Sequence, residues 1–292
     1  MRVTGRPPWT GTRGRAARNK IVRRRLLGIA AAGATLLWRP TAAGAAARWW
    51  SGLVFGVLEN RSAAEVQAMP SHVRVAREGA VLSEYYAVGH PSGPNYRAMI
   101  SGETWGRREV VAAFHPSVAS VAAGMAPPVP TYVYHLAGTI AARHNPFDDL
   151  RAPLAAERHG FDVFRRDLSG ALPQAAIVYV GWDDADDLHN GNFALADRSV
   201  TNLLDALEGS IWFATPDAAG RYPALFLTYV EDDGTAGNRV FAAWWGRGVR
   251  RGFVSRIRHT HYGFCRTLTD NLGLGQLGRA AGEAPIEEVW LP

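Results

Sequence analysis

The chain has 292 residues, of which 47% are hydrophobic and 20% charged, so it can bury a large core and lacks the composition of a disordered chain. Its formal net charge is +6, but residues 1–47 hold ten basic and no acidic side chains, which leaves residues 48–292 with 22 basic against 26 acidic side chains. This balance argues against nucleic-acid binding through a basic face, and the single cysteine, Cys265, excludes an intrachain disulfide.

The first predicted element is an export signal. Three arginines at 23–25 precede an apolar run at 29–38, and small residues follow at 42–47. This order is typical of a twin-arginine signal peptide, and the apolar run is shorter than the roughly 20 residues that a membrane span needs. We therefore predict a signal peptide over 1–47, read by the twin-arginine export machinery, and a periplasmic or extracellular domain over 48–292 with no stable membrane span. A basic tail without a targeting role is the alternative.

Four apolar runs in the body of the chain predict buried strands, at 52–58, 175–180, 224–230 and 240–245. Helical spacing of apolar residues lies between them, at 62–77, 92–101 and 195–207, and a further helix follows His261. Strands that alternate with helices predict an α/β fold, a three-layer α/β/α sandwich around a mostly parallel sheet.

A serine stands at the start of the helix predicted at 92–101, in the run His90-Pro91-Ser92-Gly93-Pro94-Asn95-Tyr96. The N-terminus of a helix favours an anion, which suits a bound phosphate and also the alkoxide form of Ser92. Asn95 lies one turn further on, where its amide can donate to a phosphoryl oxygen. A capped turn without catalytic chemistry is the alternative.

Acidic and imidazole groups follow the ends of several predicted strands. Such loops gather at the carboxyl edge of an α/β sheet, where ligands bind. Oxygen ligands mixed with histidine suit a zinc-, manganese- or iron-type site. These groups lie in the runs Glu59-Asn60-Arg61-Ser62, Asp183 to Gly191, Glu231-Asp232-Asp233-Gly234 and His259-Thr260-His261. Helix-initiating or solvated carboxylates are the alternative for the acidic residues. For His144, a turn-fixing role and a substrate or ligand role stay open.

Six motifs, in order, resemble the phosphoesterase family that includes bacterial acid phosphatases and phospholipase C-like enzymes, within the alkaline phosphatase superfamily. The resemblance covers roughly residues 52–280. The motifs are Leu58-Glu59-Asn60-Arg61-Ser62, the run from Tyr86 to Tyr96, Arg143-His144-Asn145-Pro146-Phe147, Asp186-Asp187-Leu188-His189-Asn190-Gly191, Glu231-Asp232-Asp233-Gly234, and His261-Tyr262 followed by Arg266-Thr267.

The resemblance implies a role for each candidate residue. Ser92 matches the nucleophile and Asn95 the phosphate-binding asparagine. Asp187, His189 and His261 resemble the ligands of one metal ion. Glu59 and Asn60 match the family's first metal-binding pair, and Glu231 resembles part of the second site. The implied mechanism is attack by Ser92 on phosphorus, assisted by metal, through a phosphoserine intermediate.

The chain departs from the family's Trp-Asp-Glu motif, because it has Tyr229-Val230-Glu231 instead. A valine side chain cannot bind a metal, so three possibilities stay open. Asp232 or Asp233 takes the place of the missing ligand, the site holds one metal ion, or catalysis has been lost.

We therefore expect an exported phosphoesterase that uses divalent metal, with zinc, manganese, iron and calcium all open, and acts on a small phosphate ester or a phospholipid head group. The alternative is a non-catalytic phosphate- or metal-binding relative whose site is degraded at Val230. A serine esterase is a third possibility, but the Gly-x-Ser-x-Gly pattern is absent around Ser92.

Overall fold

The computed structural model describes residues 47–292. The predicted signal peptide lies outside the described residues except for Ala47, so the signal and the domain boundary after it stay predictions. Within the described part, the helices are too short or too polar to cross a membrane.

Most of the strands belong to one central sheet. The strands of the described residues are β1 (Leu53–Leu58), β2 (Ala80–Leu82), β3 (Tyr85–Tyr86), β4 (Thr131–His135), β5 (Ala156–His159), β6 (Ile177–Gly181), β7 (Ala224–Tyr229), β8 (Ala242–Trp245), β9 (Phe253–Ser255) and β10 (His259–Thr260). Eight of them lie in the order β5-β4-β6-β1-β7-β8-β2-β9, and β3 pairs separately with β10. Only β8 runs antiparallel to its neighbours among these described strands.

Helices connect most of the strands. They are α1 (Ala63–Val66), α2 (Pro70–Glu78), α3 (Ser92–Ser101), α4 (Val118–Ala122), α5 (Pro146–Asp149), α6 (Phe161–Leu168), α7 (Phe193–Glu208), α8 (Ile211–Ala214) and α9 (His261–Asn271), with short 3-10 helices at Ala142–His144 and Gly278–Gly282.

The helices cover both faces of the sheet. Phe264 of α9 stacks on Phe226 of β7 with ring centroids 4.3 Å apart, whereas His72 of α2 lies 3.1 Å from the hydroxyl of Tyr229 on the same strand. Because successive side chains of a strand point to opposite faces, positions 226 and 229 face opposite ways. Helix α3 packs on α9, and α7 packs on α2. This arrangement confirms the predicted three-layer fold with its mostly parallel sheet.

The four predicted strands correspond to β1, β6, β7 and β8, and Cys265 is buried in α9. The helix predicted at 62–77 is divided into α1 and α2, because Pro70 lacks the N–H that a continuous helix needs and instead starts the second helix. Strand β5 was not predicted, because its sequence, Ala-Glu-Arg-His, lacks the apolar run that indicates a buried strand. It lies at one edge of the sheet.

Candidate active site

Three buried carboxylates meet at the carboxyl edge of the sheet, where β6, β1 and β7 lie side by side. Glu59 follows β1, Glu231 follows β7, and Asp187 lies in the loop after β6. Their exposed fractions are 0%, 5% and 1% respectively. The N–H of Glu59 donates to the carbonyl of Asp187 at 2.8 Å, which joins two of the loops. The structure thus brings together acidic residues that are up to 172 positions apart in the chain.

Ser92 is the first residue of α3, and its hydroxyl lies between two of these carboxylates. Its Oγ is 2.7 Å from Glu231 Oε1 and 2.9 Å from Glu59 Oε2. One hydroxyl proton can donate to only one carboxylate at a time, so the second contact needs another proton or a cation. The Asn60 amide group also lies here. Its nitrogen donates to Glu59 Oε2 at 3.1 Å and to Glu231 Oε1 at 3.2 Å, since an oxygen in that position would face only acceptors.

Glu59 sits in an environment that disfavours its charge. Burial raises its pKa well above the ordinary value, and the charges of Asp187 and Glu231 raise it further. Tyr96, from the first turns of α3, donates to Glu59 Oε1 at 2.6 Å and partly offsets this effect. A positive ion would remove the conflict between these carboxylates.

His144 lies against the other side of the same cluster and is 2% exposed. Its Nδ1 is 3.0 Å from Asp187 Oδ2. Its Nε2 is 3.2 Å from Glu59 Oε1 but forms no hydrogen bond within the described residues. Ligand atoms of Glu59, His144 and His189 lie within 4.8 Å of one another, and so do those of His144, Asp184 and Asp187. A buried imidazole nitrogen without a hydrogen bond, facing carboxylate oxygens, fits a divalent transition metal.

Of the other predicted metal ligands, one lies at the rim of the cluster and two have other partners. His189 is exposed at the rim of the cluster. The Asp232 carboxylate accepts hydrogen bonds from three backbone N–H groups of its own loop, at 2.8 Å each. The Nε2 of His261 is 2.8 Å from the Val230 carbonyl oxygen and its Nδ1 is 3.0 Å from the Tyr85 hydroxyl. Burial lowers the pKa of His261 to about 4. Their metal-binding roles stay predictions, as do those of Glu59, Asn60, Asp187 and Glu231.

Asn95 fixes the loop that leads into α3. Its Oδ1 accepts from the N–H groups of Val88 and Gly89 at 2.8 and 3.2 Å. Its Nδ2 donates to the Gly89 carbonyl at 2.7 Å and lies 3.3 Å from Glu231 Oε2. This fully buried amide therefore holds the approach to the serine, and its predicted contact with phosphate stays a prediction.

His90 connects two acidic residues at the mouth of the site. Its Nδ1 is 2.8 Å from Glu231 Oε2 and its Nε2 is 3.2 Å from Asp232 Oδ1, while 47% of its side chain stays exposed. A cleft of about 380 Å³ opens beside it, lined also by Asn60 and Arg61. The pairing of His90 with two carboxylates was not predicted, because no pattern in the sequence around His90 indicates it.

Glu109 was also missed by the sequence analysis. Its Oε2 accepts a hydrogen bond from the N–H of Gly93 at 2.9 Å, so a carboxylate occupies the helix terminus that the sequence assigned to a phosphate. A side chain at position 93 would meet the Glu109 backbone, because an ideal Cβ would lie 2.0 Å from its carbonyl oxygen. The glycine next to Ser92 thus permits the close approach of the Glu109 loop.

A buried ion pair holds that loop. Arg97 of α3 is 0% exposed and its Nη1 lies 2.6 Å from Asp149 Oδ2. The same guanidinium donates to the carbonyl oxygens of Thr104 and Glu109 at 2.6 and 3.1 Å. Asp149 Oδ1 accepts from the N–H of Val111 at 2.6 Å. Helix α3 therefore positions Ser92 directly and, through Arg97, also positions the loop that carries Glu109 next to Ser92.

The chain's fold, a mostly parallel sheet covered by helices with the candidate site at its carboxyl edge, is similar to that of the alkaline phosphatase superfamily. A crystal structure of a protein in that superfamily from Vibrio parahaemolyticus aligns with a TM-score of 0.62 and 14% identity, covering 87% of this chain and 75% of that one. At this identity the likeness concerns the fold.

Curated relatives give a more specific comparison. The chain is 28% identical over 256 residues to a phosphatidylinositol-3-phosphatase of Mycobacterium tuberculosis, covering 82% of each chain. It is 29% identical over 236 residues to a phosphate-repressible acid phosphatase of Penicillium chrysogenum, covering 70% of this chain but only 55% of that protein. No family model matches. The expectation of a hydrolase acting on phosphoric esters agrees with these relatives.

Proposed function

We propose that the chain is an exported, metal-dependent phosphoesterase, similar to acid phosphatases, that hydrolyses phosphate esters through a phosphoserine intermediate on Ser92. One observation carries the proposal: the Ser92 hydroxyl lies at the start of α3, within 2.9 Å of both Glu59 and Glu231. A nucleophile needs a nearby group that accepts its proton, and the developing negative charge needs nearby donors.

In the first step, Ser92 Oγ attacks phosphorus and its proton passes to Glu231, 2.7 Å away. The Oγ–P bond forms while the bond between phosphorus and the leaving alcohol breaks, and the alkoxide takes a proton from water. The N–H of Gly93 donates to a phosphoryl oxygen once Glu109 has left it. Burial raises the pKa of Glu231, which makes it a better proton acceptor than an ordinary carboxylate.

In the second step, a water molecule attacks the phosphoserine on the face opposite Oγ. The Oγ–P bond breaks, Glu231 returns its proton to Ser92, and inorganic phosphate leaves with the remaining proton going to solvent. The cycle therefore begins and ends with the same protonation of Ser92 and Glu231.

Glu59, His144, Asp187 and His189 are the residues that would hold a divalent metal, with Asp184 at the margin. When bound, the metal supplies positive charge that stabilises the charge developing on the phosphoryl oxygens. This cluster contains His144, to which the resemblance assigned no ligand role, and omits His261. It supports one metal ion at this position, which agrees with the loss of a ligand at Val230.

We infer a phosphate ester as substrate from the names of the relatives, with a phosphomonoester, a nucleotide and a phospholipid head group as the classes to compare. The mycobacterial relative is named for a phosphoinositide, which places a lipid head group in the comparison. Export to the periplasm or beyond through the twin-arginine machinery rests on the arginines at 23–25 and the apolar run that follows.

The test is hydrolysis of p-nitrophenyl phosphate and its bis-ester by the purified protein, with zinc, manganese, iron or calcium added in turn. We expect Ser92→Ala to lose turnover by a factor of about 10³ or more, since it removes the nucleophile. Ser101→Ala, at the other end of the same helix, is the control and should keep turnover. A metal-dependent rate that survives Ser92→Ala contradicts the proposal.

A non-catalytic phosphate-binding relative is the second candidate, and Val230 is the observation that favours it. Val230 is fully buried at the end of β7, beside Glu231. If the native chain shows no turnover with any metal and Val230→Asp gains it, the site has been disabled at this position and the second candidate is correct.

A further inference from the structure

One edge of the molecule is rich in arginine. Residues 247–258, here called the arginine edge, contain five arginines and no acidic residue. The arginines are Arg247, Arg250, Arg251, Arg256 and Arg258, and all five are exposed. The rest of the chain from residue 48 onward has 17 basic and 26 acidic side chains. Within residues 48–292, a concentrated positive surface therefore lies on an otherwise acidic part of the chain.

The arginine edge includes β9, which is the last strand of the sheet and has no partner on its outer side among the described residues. Val254, in the middle of β9, and Ile257, just after it, are each 52% exposed. Two branched aliphatic side chains are thus interspersed among the arginines at an open strand.

The charges of the arginine edge are not neutralised locally. None of its five guanidinium groups has a carboxylate oxygen within 4.0 Å in residues 47–292. Three of them instead lie over aromatic rings: Arg250 is 3.7 Å from the ring centre of Phe253, Arg258 is 4.0 Å from that of Tyr86, and Arg247 is 5.6 Å from that of Tyr222. These contacts hold positive charge at defined places on the surface.

We propose that the arginine edge docks the protein on an anionic lipid surface. Guanidinium groups pair with lipid phosphates, and exposed aliphatic side chains between them enter the head-group layer. A second copy of the chain fits poorly, because two arginine edges would repel each other. A nucleic acid would favour exposed aromatic rings for base stacking, whereas the exposed apolar residues here are aliphatic.

Sheet topology fixes the direction of the docked edge. Because β8 reverses direction on each side, β9 runs parallel to β1, and residues 256–258 lie at the same edge of the sheet as Glu59. Four strand spacings separate β1 from β9, about 19 Å at the usual 4.7–4.9 Å between strands. Because residues 247–251 precede β9 and residues 256–258 follow it, docking would lay the outer side of β9 along the lipid, and the edge that carries the candidate active site would stand beside the lipid surface. The proposal does not depend on catalysis.

The experiment is sedimentation of the full chain with vesicles of phosphatidylcholine, alone or mixed with phosphatidylserine, at low and high salt. The edge variant replaces Arg251, Arg256 and Arg258 by Gln. The control variant makes the same charge change at three exposed arginines on other elements, Arg151, Arg165 and Arg198. Each arginine near an anionic surface contributes about fivefold to binding, so the edge variant should bind phosphatidylserine vesicles about a hundredfold more weakly.

The basic residues 1–47 are present in every variant, so the contact must also be located. Hydrogen–deuterium exchange on vesicles should show new protection within residues 247–258, and thermal melting should show that both variants are folded. Equal vesicle binding by the edge and control variants, or unchanged exchange at residues 247–258, would overturn the proposal. Protection of this segment by an oligonucleotide alone, or by self-association alone, would overturn it in favour of that occupant.

Discussion

Glu109→Gln tests whether a carboxylate of this chain competes with phosphate for the start of α3. The Glu109 carboxylate accepts from the N–H of Gly93 at 2.9 Å, next to the proposed nucleophile. A phosphoryl oxygen bound to Ser92 needs that same N–H, so Glu109 must leave before phosphate binds. Replacing the carboxylate by an amide weakens the bond to be broken and removes a negative charge beside the ligand.

The size of the effect follows from the bond that is exchanged. A hydrogen bond to a charged group contributes about 1.5–3 kcal/mol and a neutral one about 0.5–1.5, so the exchange lowers the cost of displacement by about 1 kcal/mol. Relief of repulsion across a solvent-exposed gap adds about 1 kcal/mol more. We therefore expect Glu109→Gln to bind inorganic phosphate about thirtyfold more tightly.

The assay is inhibition of hydrolysis by inorganic phosphate, together with direct calorimetric binding. Glu103→Gln is the matched control, because Glu103 lies on the same loop and pairs with Arg279 at 3.5 Å, away from Gly93. Loss of the carboxylate from the helix terminus should also lower stability by up to about 1 kcal/mol. Tighter phosphate binding in a less stable variant is the expected signature. Weaker or unchanged phosphate binding would refute the competition.

Three further predictions concern metal binding, stability and pH. His144→Ala should weaken manganese binding, followed by calorimetry, at least tenfold compared with the control His159→Ala, since it removes a buried ligand of the cluster; equal affinities would contradict the cluster. Asp149→Asn should lower the free energy of unfolding in urea by about 3–5 kcal/mol, because it leaves the buried Arg97 charge unpaired; a loss under 1 kcal/mol would contradict this. Burial lowers the pKa of His72 to about 4 from 6.5, so between these pH values the unfolded chain binds more protons than the folded protein does. The free energy of unfolding should therefore fall by about 3 kcal/mol as the pH falls from 6.5 to about 4. In His72→Gln this fall, followed by thermal melting, should vanish; an unchanged dependence of stability on pH would exclude His72 as its source.

The centre of the fold could be read from the sequence because its strands are buried on both faces. Strands β1, β6 and β7 are continuous apolar runs, and parallel strands of this kind place their following loops at one edge. Glu59 and Glu231 were found for this reason, since each comes directly after a strand. Their roles stay predictions, but their proximity follows from topology.

The other parts of the site depend on tertiary packing that leaves no local pattern. His144 reaches Glu59 from a short 3-10 helix, and nothing in its neighbours shows which way the ring turns. Glu109 lies in an irregular loop whose path is set by Arg97, more than ten residues earlier. His261 is the first residue of α9, a helix that the sequence predicted, yet its ring faces the Val230 carbonyl oxygen. Helix periodicity does not specify this direction.

Helix α3 explains why Ser92 and the Glu109 carboxylate lie side by side. Its first residue is Ser92, its second is the glycine that lets the Glu109 backbone approach, and its sixth is Arg97, which binds that backbone from within the core. Because Arg97 is paired with Asp149 inside the protein, the loop cannot move freely, whereas the exposed Glu109 side chain can rotate away from Gly93. We therefore expect phosphate to enter after a side-chain rotation of Glu109, with no rearrangement of the loop.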